Sequence, residues 1–75
     1  APLVTVDRLA GGLAASLRGM APADLYLVLF HLADNLRFPS QETVFFVRLF
    51  LSLFAALADG GREVLTRVLL ERLIA

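Results

Sequence analysis

The stretch FVRLFLSLFAAL, residues 46 to 57, contains only two polar side chains, Arg48 and Ser52. Apolar residues that recur at three and four positions, not at two, form helices. A helix on the surface of a small domain carries a dry stripe about 100° wide and a wet opposite face. This one is dry nearly all the way round. At about 100° per residue, Gln41, Arg48, Ser52 and Asp59 fall along one narrow line. Phe46, Phe50, Phe54 and Leu57 form a ladder opposite it, and are expected in the core. Phe45, Leu49, Leu53 and Ala56 make one flank; Val44, Val47, Leu51 and Ala58 make the other. Such a helix requires cover on almost every side, and any fold for this chain has to supply it.

The punctuation predicts an all-α chain of four helices, about 6–18, 22–36, 41–59 and 62–74, in a small bundle with short loops. Thr5 is the expected N-cap of the first helix, and Gly19 its C-terminal stop. Val6, Leu9, Leu13 and Leu17 form its stripe, with Ala10 and Ala14 beside it. Gly11-Gly12 in mid-helix predicts either close approach of a neighbour or a kink. Pro22 fits the first position of the second helix, with Asp24 in its first turn and Phe38-Pro39 at its end. Leu25, Val28, Leu29, Leu32 and Leu36 are its inner stripe, widened by Tyr26, Leu27 and Phe30. Ser40 is the expected cap of the third helix, and Gly60-Gly61 the tight connection to the fourth. That helical hairpin resembles those of HEAT-type and bundle proteins. In the fourth helix Val64, Leu65, Val68, Leu69 and Leu73 face inward, and Glu63, Arg67 and Glu71 are spaced for an exposed ion-pair ladder.

The chain has 75 residues, enough for one domain at most, and starts Ala-Pro without Met, so it reads as a piece of a longer protein. Of these residues 59% are apolar, against an ordinary 45–50% or so. Two arrangements cover the third helix. Either it is the central helix, packed by the other three, or one flank packs inside and another docks a second chain. Four short helices have too little surface to hide the broad faces of helices 2 and 3 together. Leaving several large apolar side chains in one exposed patch invites association. The expected function is therefore a non-catalytic protein–protein interaction module of a larger regulatory or scaffold protein, acting by homodimerisation or by docking a helix. Tyr26, Leu27, Phe30, Phe45, Leu49 and Leu53 are the expected partner-binding residues, with Arg48 at the rim able to pair with a carboxylate. The alternative is a bundle that binds a lipid or another apolar ligand.

Other classes have little support. Seven Arg balance seven acidic residues, which argues against a phosphate-binding nucleic-acid surface. Val44 to Ala58, at about 1.5 Å per residue, is too short to span a bilayer and contains Arg48. No Cys is present, and His31 is the sole histidine, expected to pair with Asp34 on the surface; no metal, cofactor or catalytic group is expected. The absence of Lys accompanies high Ala, Gly, Leu and Arg, as in a GC-rich gene. The expected compartment is intracellular, cytoplasmic or nuclear.

Overall fold

The computed structural model describes residues 2–74. It contains α1 (Pro2–Leu17), α2 (Pro22–Arg37), α3 (Thr43–Ala56) and α4 (Asp59–Leu69), and α4 runs into a π-helical turn, Leu70–Ile74. The chain is all-α, as its periodicity predicts. At α2 the expected signals hold: Ala21 is extended, Pro22 opens the helix, and Asp24 lies in the first turn. Phe38, extended before Pro39, follows its last residue.

Elsewhere the ends differ from expectation. α1 begins at Pro2, so Thr5 lies inside the helix instead of capping it. The helix runs through Gly11-Gly12 without a break, and nothing approaches within 4 Å of where their Cβ atoms would be. Gly19 does not adopt a left-handed conformation; Met20 N–H closes a tight turn by donating to the Leu17 carbonyl. Ser40 acts three residues ahead of the helix it was expected to cap. Its Oγ accepts from the Glu42 N–H while its own N–H donates to Thr43 Oγ1, and α3 starts only at Thr43.

α3 also stops earlier, at Ala56. Leu57 and Ala58 are extended and form the corner, so Gly60-Gly61 lies within the first turn of α4. Arg62 explains how the corner is held. Its guanidinium donates to the Phe54 carbonyl (2.8 Å) and the Ala55 carbonyl (3.1 Å), two of the acceptors that the last turn of a helix leaves without partners. It also lies 3.8 Å from Asp59 and 5.5 Å from the Phe54 ring centroid.

α1 packs chiefly on α3, and α2 on α4, with α2 also touching α3 and the terminal turn. The Cα trace measures 31 × 29 × 15 Å. Packed helices stand about 8–10 Å apart, so the short dimension holds two layers and encloses no helix on every side. The core consists of Val6, Ala10, Ala14 and Leu17 from α1; Leu25, Leu29 and Ala33 from α2; Leu49, Phe50, Leu53 and Leu57 from α3 and its corner; and Leu65 and Val68 from α4. No polar or charged residue among those described is buried.

These residues correct the expected faces. On α1 the buried line runs through Ala10 and Ala14, and Leu9 is exposed. Two alanines give a shallow surface on which α3 can settle. α3 is turned by roughly 50° from its expected setting, at about 100° per residue. Leu49 and Leu53 enter the core beside Phe50, while Phe54 is exposed and Phe46 is half-buried. Ser52 marks the edge of the α1 contact, donating to Asp7 Oδ1 at 2.7 Å. On α2, Ala33 is buried and Val28 is exposed; at the C-terminal end, Leu73 is exposed too.

Two measurements check this arrangement. Leu53 is 0% exposed and Leu51 is 68% exposed. Leu53→Ala is expected to cost about 2–5 kcal/mol, and Leu51→Ala less than about 0.5 kcal/mol, in urea denaturation. Equal losses would mean that α3 buries Leu51 as deeply as Leu53. Arg62→Ala frees two carbonyls at a half-exposed corner. It is expected to cost about 1 kcal/mol, seen as a fall in Tm of roughly 5 °C.

Candidate protein-interaction face

The residues expected to bind a partner are placed in three different settings. Leu49 and Leu53 are core side chains of the folded chain and are not on its surface. The polar line of α3 does not lie opposite the core, because Ser52 is used by α1; that offset brings the Leu49 flank inside. Phe45 remains exposed, edge-on to Phe46 with ring centroids 5.3 Å apart, and Arg48 is exposed.

Tyr26 and Phe30 meet the chain's own C-terminal turn. Spacing of four puts Tyr26, Phe30 and Asp34 along one side of α2. Tyr26 stacks on Phe30 at 5.7 Å and donates its phenol hydrogen to Glu71 Oε2. The Arg72 guanidinium lies 4.0 Å over the Phe30 ring and pairs with Asp34. Its Nε has no hydrogen-bond partner, so the ring face and one carboxylate hold this cation. Asp34 is thereby taken from His31, which instead meets Phe30 edge-on at 6.2 Å. Glu71 is taken from the expected ladder with Glu63 and Arg67. Leu27, on the neighbouring side of α2, is exposed.

A different set of residues forms the continuous apolar surface. Val44, Val47, Leu51 and Phe54 recur at 3–4–3 spacing along α3, and all four are exposed. Val47, Leu51 and Phe54, with Leu36, Phe50, Leu69 and Leu73, border a groove of about 270 Å³ whose lining residues are all apolar. Phe50 is its buried floor; α3 makes one wall, and the end of α4 with the terminal turn makes the other. Leu70 and Ile74 extend the exposed apolar surface of that turn. Val44, Val47 and Leu51 belong to the flank not expected to bind a partner, and Phe54 comes from the ladder expected in the core. The 3–4–3 spacing was their visible signal, and the width of the apolar arc concealed it.

A second cleft, about 300 Å³, opens at the other end of the slab between Leu17, Met20, Leu57 and Val64, with Arg18 its one charged lining residue. Among the described residues no three His, Cys, Asp or Glu side chains gather to hold a metal ion. No helix of the described residues is long and apolar enough to cross a membrane.

The titration of the Tyr26 hydroxyl is displaced. Its hydrogen bond to Glu71 raises its pKa from the ordinary 10.0; partial desolvation and the Glu71 charge act in the same direction, while Arg67 and Arg72 oppose. The folded chain holds this proton more tightly than the unfolded chain does. The resulting stabilisation is complete below about pH 10 and is lost as pH rises through the folded-state value. Tyr26 is the sole tyrosine and there is no Trp, so tyrosinate absorbance reports this contact alone. The midpoint is expected above 10.0, and Glu71→Gln should return it toward 10.0. Identical midpoints in the two proteins would show that the terminal turn is not docked through Glu71.

Comparison with known proteins adds one match. No curated protein and no solved structure matches the chain. The family model described as "Not1: CCR4-Not complex component, Not1" matches residues 13–75, which takes in the C-terminal end of α1 and all of α2, α3, α4 and the groove beside α3. That match covers well over half the chain, and the protein belongs to the Not1 family of CCR4-Not complex components.

Proposed function

We propose that the chain is a non-catalytic docking module of a Not1 scaffold, lending an apolar helical surface to the assembly of the CCR4-Not complex in the cytoplasm or nucleus. The observation that carries this reading is the exposed α3 flank with its groove. A domain this small gains only a few kcal/mol from its own core. Fully burying one Leu or Phe is worth roughly 1.5–3 kcal/mol, so covering three or four of these side chains is comparable with the stability of the whole domain. An assembly in which a second protein surface covers them removes that exposure and gains the free energy together. The family supports the same reading, since its members are described as components of a multi-subunit complex.

The test is direct. Leu27, Leu51 and Leu70 are exposed on α2, α3 and the terminal turn, so each accepts Asp without entering the core. The tagged chain and its Leu27→Asp, Leu51→Asp and Leu70→Asp variants are expressed in cells, and co-purified CCR4-Not subunits are quantified. The variants are expected to keep helical circular dichroism, and at least one is expected to lose tenfold or more of the recovered subunits. If all three, alone and combined, recover the subunits at the level of the unaltered chain, the docking reading is wrong.

A further inference from the structure

The register of α3 bears on what its exposed surface can accept. Val44, Val47, Leu51 and Phe54 follow the alternating three- and four-residue spacing of a seam on which one helix packs against another. Assigning Val44 and Leu51 to a positions and Val47 and Phe54 to d positions puts Arg48 at e. Charged residues at e and g flank a helical seam and select its partner and orientation. Phe50 falls at g, and it is the buried floor of the groove. The seam is therefore closed by the body of the protein on one side and edged by a cation on the other. Arg48 makes no hydrogen bond or ion pair with any described residue. Val44 is 65% exposed, and the run from it to Phe54 is about 15 Å long, room for roughly three turns of a partner helix.

Resting on the docking reading above, we propose that this seam takes one amphipathic α-helix of a different chain, with apolar residues at 3–4 spacing and a carboxylate that meets Arg48. A second copy fits less well. α3 contains no carboxylate. In a two-fold pairing of antiparallel α3 helices the two Arg48 side chains share an edge and repel. In a parallel pairing Arg48 meets Thr43 or Phe50 of the other copy. A foreign helix with Asp or Glu on that edge satisfies the charge and the apolar groove together.

The test is selection from a displayed library of helical peptides with randomised surface positions, using the folded chain as bait. Enriched peptides are expected to carry 3–4 spaced apolar residues and an acidic residue on one flank. Leu51→Asp in the chain should weaken the best peptide at least tenfold. Arg48→Glu should weaken it about tenfold, and exchanging the peptide's carboxylate for Lys should restore it. Circular dichroism of each variant confirms that the fold is retained. The proposal is overturned if no helical peptide is enriched or if binding ignores Leu51→Asp. It is equally overturned if light scattering shows a dimer that Leu51→Asp dissolves, or if phosphatidylcholine–phosphatidylserine vesicles, and no peptide, bind through Leu51. If peptides bind and respond to Leu27→Asp instead, the seam assignment fails while the docking function stands.

Discussion

Alanine at positions 10 and 14 leaves α1 with a shallow surface, and α3 settles against it. Close approach over small side chains brings more of the larger partners into contact, because dispersion attraction falls off within an ångström or so of optimal separation. The large residues that α3 turns toward the interior are Leu49, Phe50 and Leu53, and each is buried. Once that side is committed, Val44, Val47, Leu51 and Phe54 are left exposed among the described residues. The exposed seam is thus a consequence of how the interior is packed.

The second pair of helices is secured by a different means. α2 and α4 share a core line through Leu25, Leu29, Leu65 and Val68, but their far ends are joined by side-chain chemistry. Glu71 and Arg72, adjacent in the π-helical turn, meet Tyr26, Phe30 and Asp34 on one side of α2. Leu69 and Leu73, on the other side of the same segment, form a groove wall. One short turn therefore serves both the internal contact and the outer surface. At the opposite corner Arg62 ties α4 to the last carbonyls of α3.

Much of this architecture is legible from the residues alone. Four helices follow from apolar spacing, and the ends of α2 from Pro22, Asp24 and Pro39. The surplus of apolar side chains on α3 predicts that some of them stay exposed, as Val44, Val47, Leu51 and Phe54 do. Three features are not legible, each for a physical reason. The orientation of α3 depends on Ala10 and Ala14, whose small volume matters only once a neighbour is known. The corner at Leu57–Ala58 depends on Arg62 reaching back along the chain, which local propensity does not contain. Tyr26 and Phe30 look like ready anchors in the sequence, and only the tertiary meeting with Glu71 and Arg72 shows them engaged at home. Phe45 and Arg48 stay outside as expected, and Leu49 and Leu53 do not, because a helix with two apolar flanks offers no internal sign of which one goes in.

That last ambiguity has a consequence for uniqueness. Buried polar groups can pin register, since a misplaced one loses its hydrogen bonds, and none of the described core residues is polar. Shape alone therefore tells one oily side of α3 from the other, apart from the Ser52 hydroxyl bonded to Asp7 at the margin. The shallow surface at Ala10 and Ala14 and the Ser52 hydroxyl are the features that favour the observed side. A ligand helix that fills the vacant side would do more than bind: it would lower the free energy of the one arrangement that presents that side, and so sharpen the choice of native state.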